Sequence, residues 1–199
     1  MESNQLILAS ASPRRAELLK TAGFTFEIDP ATGPERTYPV SDGGALTEYL
    51  ARDKAAEVFA RHRSAVVLGS DTLVTLRGLF LGKPKTPEEA VSMLNLLSGR
   101  THTVCTSVCV MSAQQTASFR CKTAVTFRPV SQAEIIAYVQ SGEPMDKAGS
   151  YGIQGIASRF VTSIEGDYSS VVGLPVGKTA ELLMQFGVLP ADLQGPARS

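Results

Sequence analysis

The chain has 199 residues, of which 43% are hydrophobic, and its 19 basic and 19 acidic side chains give a formal net charge of zero. This length can bury one substantial core, and a neutral chain lacks the positive field that holds polymeric DNA or RNA. No apolar run approaches the ~20 residues of a membrane span, and the N-terminus lacks a basic segment followed by an apolar one, so we expect a cytosolic protein with no membrane or nucleic-acid polymer as a partner.

The N-terminal third is predicted to combine two short strands with two helices. Ser12 suits the N-cap of the first helix and Pro13 its first position, because proline has no N–H to leave unpaired there. In chain order the predicted elements are a strand over 5–9, a helix from Pro13 to Gly23, a strand over 24–29, a long loop over 30–44 and a helix over 45–61.

The middle of the chain is richer in β-structure. The continuous apolar run 65–69 is typical of a buried central strand, which we expect to end at residues 70–72. The remaining predicted elements are a hairpin over 73–81, a capping-box helix from 86 to 99, two long antiparallel strands over 101–111 and 116–127, and a second capping-box helix from 131 to 142.

The C-terminal part is predicted to contain a polar, glycine-rich loop over 143–155, strands over 160–164 and 168–172, and a helix over 175–186. Together these elements indicate an α/β fold, a mixed elongated sheet with flanking helices and two lobes around a cleft. We expect a single domain over residues 1–189 and a flexible tail over 190–199.

The cysteines and histidines give no metal or disulfide pattern. Cys105 and Cys109 lie four residues apart on one predicted strand, hence ~13 Å apart, which is too far for a disulfide. Cys121 stands alone, and neither His62 nor His102 has metal-ligand spacing with a cysteine. We therefore expect structural cysteines and no zinc site.

A phosphate site is predicted at the first strand–helix junction. Residues 10–15 read Ser-Ala-Ser-Pro-Arg-Arg, so two hydroxyls and two guanidiniums surround a helix N-terminus, which attracts anions through its free N–H groups. The alternative is an ordinary capped helix with two solvated arginines. That alternative places cations where they oppose the helix dipole.

Two charged residues farther along are candidates for chemistry. Asp71 follows a buried strand, where α/β proteins bind ligands, and suits a general base or a metal ligand. The alternative is an aspartate that caps the next turn. Lys83, between Gly82 and Pro84, offers a point charge for phosphate, or is merely solvated.

Two glycine-rich segments need separate interpretations. The loop over 143–155 mixes glycine, charge and an aromatic residue, which favours a functional loop over a self-packed surface loop. The segment 173–179 resembles a nucleotide-binding P-loop, but only three residues separate its glycines, and Pro175 removes a backbone donor. We interpret that segment as the entry to a packing helix.

Taken together, these segments resemble the Maf family, in family order from about Leu6 to Phe186. The matching segments are residues 10–15, 69–72, 83–84, 98–102, 146–149, 151–155 and 172–175. The resemblance implies nucleoside triphosphate pyrophosphatase activity, a fold shared with inosine triphosphate pyrophosphatases, a divalent cation (Mg²⁺ or Mn²⁺), a cytosolic location and a homodimer.

The resemblance also assigns roles to individual residues. Asp71 is the implied catalytic residue, and Arg14, Thr72 and Gln154 match the positions that mark the dTTP- and UTP-specific branch. Glu35 remains from the acidic pair that the family usually carries over 31–40, and joins Asp71 as an implied metal ligand. The triphosphate would be held by Ser10, Ser12, Arg15, Lys54 and Lys83.

Two functions follow as expectations. The first is a pyrophosphatase that hydrolyses dTTP and UTP to the nucleoside monophosphate and pyrophosphate. The second is a nucleotide-binding regulator of cell division with little turnover, since the family has been linked to division arrest. Pyrophosphate release by the purified protein separates the two.

Overall fold

The computed structural model describes residues 3–194 and contains one seven-stranded sheet with helices on both faces. Its elements are β1 (Leu6–Leu8), α1 (Pro13–Thr21), β2 (Glu27–Ile28), α2 (Gly43–Arg61), β3 (Val66–Leu76), β4 (Leu79–Leu81), α3 (Pro87–Leu97), β5 (Thr101–Met111), β6 (Thr116–Phe127), α4 (Gln132–Gln140), β7 (Val161–Glu165), α5 (Tyr168–Val172) and α6 (Val176–Gln185). Three short 3₁₀ turns connect α4 to β7. The predicted mixed α/β class is confirmed.

Strand β3 organises the sheet, whose order is β2-β1-β3-β5-β6-β7. Strands β2, β1 and β3 are parallel, whereas β5, β6 and β7 continue the sheet in antiparallel fashion. The other edge of β3 pairs with β1 over 66–68 and with β4 over 74–76. Within the described chain, residues 69–73 have no strand partner at that edge, so a gap opens where β1 ends. Ligands in open α/β sheets bind beyond such strand ends.

The two faces of the sheet are covered differently. On one face, α2 packs closely on β3, because a Cβ added at Gly69 would lie 2.3 Å from the carbonyl oxygen of Ala51. The opposite face carries two apolar clusters. One includes Leu68 and Val108 beneath α1 and α6, and the other includes Val74 and Val104 beneath α3 and α4.

A strip of hydroxyl side chains separates these two clusters, and we call it the polar seam: Ser70, Thr72, Thr106, Thr123 and Ser170. Along β3 the residues facing this side are Leu68, Ser70, Thr72 and Val74, so the seam interrupts an otherwise apolar face. Two lobes thus meet at a polar boundary. Two residues of that boundary, Ser70 and Thr72, lie in the segment of β3 that has no strand partner at its edge.

Two predicted strand bounds and one predicted strand were wrong. Strand β3 does not end at residues 70–72 but continues to Leu76, because β5 pairs with it from Val67 to Thr75. The strand predicted over 24–29 contracts to Glu27–Ile28. Residues 168–172 form helix α5 rather than a strand, because the side chain of Asp167 caps the turn by accepting from the N–H of Ser170.

The C-terminal segment folds back onto the start of the chain. Its last turn, Ala191–Leu193, is attached where the N–H of Ala191 donates to the carbonyl of Gly23 at 2.9 Å. Residues 195–199, part of the predicted flexible tail, lie outside the described residues. Over residues 3–194, no helix has both the length and the apolar composition that a membrane crossing requires.

Candidate active site

The N-terminus of α1 lies at the end of β1 and lacks a side-chain cap. Ser12 occupies the N-cap position without accepting a capping hydrogen bond, and Pro13 has no N–H. The N-caps of α2, α3 and α4 do accept from backbone N–H groups. The first-turn N–H groups of Arg14 and Arg15 are therefore left without a capping acceptor, as at an anion-binding helix terminus.

Arg15 is held in place by three protein acceptors. Its Nε donates to the carbonyl of Gly173 at 2.8 Å, its Nη1 to Oγ of Ser10 at 3.2 Å and its Nη2 to Oγ1 of Thr72 at 3.1 Å. Two of the five guanidinium N–H groups remain for a ligand. Burial lowers the pKa of Arg15 and the nearby Asp71 opposes that shift, but an arginine stays charged.

Ser10 is buried, and its hydroxyl oxygen accepts two hydrogen bonds, from the N–H of Ser12 at 3.2 Å and from Nη1 of Arg15. Because both lone pairs are engaged, the hydroxyl hydrogen is left to donate. The segment predicted to bind phosphate thus presents backbone, hydroxyl and guanidinium donors together.

Asp71 lies in the gap of β3 and points to the α2 side of the sheet, opposite to Thr72. Its Oδ1 is 2.5 Å from Nζ of Lys54, and the same Nζ is 3.1 Å from Oε1 of Glu35. Burial raises the pKa of Asp71, while the positive charges of Lys54 and Arg15 oppose that rise. A buried carboxylate with a perturbed pKa in a cleft is a candidate general base.

The donor set around Lys54 fits a divalent cation that arrives with a phosphate ligand. Among residues 3–194 no group of three or more His, Cys, Asp or Glu side chains is arranged to hold a metal alone. Asp71 and Glu35 nevertheless converge on one positive centre, the ammonium group of Lys54. Mg²⁺ sites often combine one or two carboxylates with substrate phosphates, so these two residues match that chemistry.

Loop 29–42 carries Glu35 and forms a cavity of about 530 Å³ against α2. The loop is tied down at its start by Asp29, which binds Arg61 at 2.9 Å, and farther on by the hydroxyl of Tyr38, which donates to Asp53 at 2.5 Å. These tethers were not found from the sequence, since their partners lie 15 to 32 residues apart. The cavity is lined by Ala31, Gly33, Pro34, Glu35, Arg36, Leu50, Asp53, Lys54, Ala56 and Glu57.

Gln154 is exposed on the glycine-rich loop, and that loop is braced by a different residue, Glu143. The Glu143 carboxylate accepts from the hydroxyl of Tyr138 at 3.0 Å and from the N–H of Ile156 at 3.0 Å. A Cβ at Gly155 would lie 2.2 Å from this carboxylate, so a larger residue there would displace it. The brace does not use the Gln154 side chain, whose amide is exposed.

Comparison with known proteins identifies the family. The family model described as "Maf-like protein" matches residues 5–186. The chain belongs to the Maf family. A protein of Bacillus pumilus named "dTTP/UTP pyrophosphatase" is 49% identical over 187 residues, 94% of this chain and 99% of the relative. Relatives with the same name are 50% identical in Moorella thermoacetica (93% and 96% covered) and 47% identical in Bacillus cereus (92% and 96% covered).

The remaining Maf segments form the rim of the cleft. Arg14 reaches across from α1 to the glycine-rich loop, where its Nη1 lies 3.0 Å from Oδ2 of Asp146. Lys83 follows β4, is exposed and makes no ion pair within residues 3–194. Its loop is fixed because the carbonyl of Gly82 accepts from the N–H of Gly149 at 3.0 Å. Contacts therefore join Ser10, Arg15 and Thr72 on one side of β3 and Asp71, Lys54 and Glu35 on the other, and Arg14 reaches the loop that carries Gln154.

The Maf segment 98–102 places His102 in the core beneath the glycine-rich loop. Its Nε2 is 2.8 Å from the hydroxyl of Tyr151, Nδ1 has no protein partner within residues 3–194, and Phe127 and Tyr151 pack edge-on against its ring. Burial lowers the pKa of His102 from 6.5 to about 4. The folded protein thus holds a neutral histidine that takes up a proton on unfolding between these two pH values.

The free energy of unfolding is therefore expected to fall as pH drops through this window, by about 2 kcal/mol from pH 7 to pH 5 on account of His102 alone. Urea titrations of the wild type and of His102→Phe at both pH values measure this difference. Val110→Ala, which truncates a buried residue of the same strand and removes no titratable group, is the control and should keep the wild-type pH dependence. An identical pH dependence in His102→Phe would contradict the prediction.

Proposed function

We propose that this protein hydrolyses dTTP and UTP to the nucleoside monophosphate and pyrophosphate. The observation that carries the proposal is the juxtaposition, at the gap in β3, of an uncapped helix N-terminus, the immobilised Arg15 and the buried Asp71. An anion site beside a buried carboxylate suits hydrolysis of a phosphoanhydride. The choice of dTTP and UTP is supported by relatives 47 to 50% identical to this chain, which are named "dTTP/UTP pyrophosphatase".

The triphosphate is proposed to lie over the N-terminus of α1. Ser10, Ser12 and the two free N–H groups of Arg15 donate to phosphate oxygens, with Lys54 and Lys83 adding positive charge. Asp71 and Glu35 would hold a divalent cation, Mg²⁺ or Mn²⁺, which supplies neutralising charge to the phosphates when bound. Because Lys54 contacts both carboxylates, it keeps them close together before substrate arrives.

In the proposed reaction a water molecule attacks the α-phosphorus, and the bond from this phosphorus to the oxygen that bridges to the β-phosphorus breaks. Asp71 accepts the proton of the attacking water and later releases it to solvent. Charge accumulates on the departing pyrophosphate, where the fixed donors of Arg15 and of α1 stabilise it without reorganising.

Product analysis tests this proposal directly. Purified protein is incubated with dTTP and Mg²⁺, and the products are separated by chromatography. Equal amounts of dTMP and pyrophosphate are expected, whereas orthophosphate with dTDP would reject the reaction. Nucleotide binding without turnover would favour the regulatory alternative.

The cytosolic location and the homodimer remain predictions. Sedimentation of the purified protein tests the homodimer.

Arg14→Ala is expected to impair catalysis more than stability. The Arg14 side chain is 28% exposed, and a surface truncation of this kind costs below ~0.5 kcal/mol of stability. A lost charge-assisted contact with substrate should lower kcat/KM by about tenfold or more. Steady-state kinetics on dTTP and thermal denaturation give the two quantities. Arg63→Ala, which removes an exposed arginine stacked on Phe59, is the control, and equal kinetics in both variants would refute the role of Arg14.

A further inference from the structure

The polar seam connects the phosphate-binding arginine to a residue of β5 that the sequence motifs do not include. Oγ1 of Thr72 accepts from Nη2 of Arg15 at 3.1 Å and lies 3.0 Å from Oγ1 of Thr106. Thr106 is fully buried, and its hydroxyl lies 2.7 Å from the carbonyl oxygen of Ser170.

The chemistry of these groups fixes the direction of each hydrogen bond. The carbonyl of Ser170 only accepts, so the single hydroxyl hydrogen of Thr106 is donated to it. Thr72 must then donate its own hydrogen to Thr106. The lone pair of Thr72 is thereby turned toward Arg15, which only donates. One consistent chain of bonds runs from Arg15 through both threonines to α5.

We propose that Thr106 is a positioning residue for triphosphate binding, acting through Thr72 on Arg15. The inference rests on the proposed function, because it takes Arg15 as a phosphate ligand. Thr106 fixes the hydroxyl orientation of Thr72, and Thr72 in turn holds Nη2 of Arg15. The two free N–H groups of Arg15 are thereby oriented before the ligand binds.

The anchor of this chain is rigid, which is what positioning requires. Helix α5 is capped by Asp167, and the connection that follows it supplies the carbonyl of Gly173. This carbonyl accepts from Nε of Arg15 at 2.8 Å and from the hydroxyl of Ser70 at 3.2 Å. Arg15 is therefore tied at two points to one element, directly at Gly173 and through the threonines at Ser170.

Thr106→Val tests the inference because it keeps the shape of the side chain and removes the hydroxyl. The Thr72 hydroxyl then loses its hydrogen-bond acceptor, so its orientation toward Arg15 is no longer fixed. We expect the affinity for inorganic tripolyphosphate, which has no base or sugar, to fall by about tenfold. Calorimetric titration of the full chain measures it, and KM for dTTP should rise in parallel.

Two variants control for structural effects. Thr47→Val removes an equally buried hydroxyl that contacts β5 at Ser107 but has no bond to Thr72, Arg15 or α5, so its affinity should match the wild type. Thr106→Ser keeps the hydroxyl and should restore binding to within about twofold. Thermal denaturation shows whether each variant folds.

The outcomes separate this inference from the proposed activity. Equal losses in Thr106→Val and Thr47→Val, failure of Thr106→Ser to restore binding, or a wild type that does not bind tripolyphosphate would each overturn the role of Thr106. A wild type that binds tripolyphosphate and loses affinity only in Thr106→Val, yet releases no pyrophosphate from dTTP, would support the role of Thr106 and reject the activity.

Discussion

Asp71→Asn is expected to lower turnover of dTTP by at least ~100-fold while the fold survives. Asparagine has nearly the same size and keeps one carbonyl acceptor, so Lys54 retains a hydrogen-bond partner. What disappears is the negative charge, and with it the proton acceptor and one of the two carboxylates near Lys54. The effect is large because a neutral amide cannot replace either function.

Steady-state kinetics with dTTP and saturating Mg²⁺ measure this loss, and circular dichroism confirms the fold. Glu48→Gln provides a matched control, because it neutralises another ion-paired carboxylate that contacts Arg120 and lies on the same helix as Lys54. Glu48→Gln should retain near-normal turnover. A folded Asp71→Asn variant with normal turnover would remove Asp71 from the mechanism.

The fold was predictable from the sequence wherever local chemistry agreed with the tertiary structure. The capping box at Ser131 and Glu134 is present, and the two long strands were placed at their observed bounds and pair as predicted. The end of β3 was missed because a distant partner, β5, decides it, whereas residues 168–172 were missed because two local signals compete. Val171 and Val172 favour a strand by their branched side chains, but the cap supplied by Asp167 turns them into a helix.

The candidate site was predictable to the extent that its residues belong to short motifs. Arg15 and Asp71 were found because each stands in such a motif, although Asp71 lies within β3 and not at its end as predicted. Thr106 was missed, since a threonine inside a strand rich in threonine and valine carries no local signal. Its significance comes from the register that places it opposite Thr72, and that register is a property of the folded sheet.

Selectivity for the base is the second large effect that we expect, with dTTP and UTP preferred over dCTP, CTP and the purine triphosphates. Uracil and thymine present two carbonyl acceptors that flank an N–H donor, and the amide of Gln154 offers a donor and an acceptor to match part of this edge. Cytosine presents an amino group and an unprotonated ring nitrogen instead. Each mismatch that is left buried costs ~1–3 kcal/mol, or about 5- to 150-fold.

We expect this role to fall on Gln154. Thr72 was also expected to mark substrate choice, but its hydroxyl is engaged by Arg15 and Thr106, and we therefore expect it to act on the phosphates. Gln154 is exposed, and its loop is braced by Glu143. The loop conformation should therefore survive Gln154→Ala. We expect this variant to lose most of the preference for dTTP over dCTP.

A panel of nucleotides at equal concentration, with chromatography of products, measures the preference in the wild type and in Gln154→Ala. Little selection between ribose and deoxyribose is expected, because the proposed contacts lie on the pairing edge that uracil and thymine share. Gln140→Ala, an exposed glutamine at the end of α4, serves as the control and should keep the wild-type ranking. Comparable hydrolysis of all bases by the wild type would reject the specificity. An unchanged ranking in Gln154→Ala would instead move base recognition to another residue, since the phosphate contacts are common to every nucleotide in the panel.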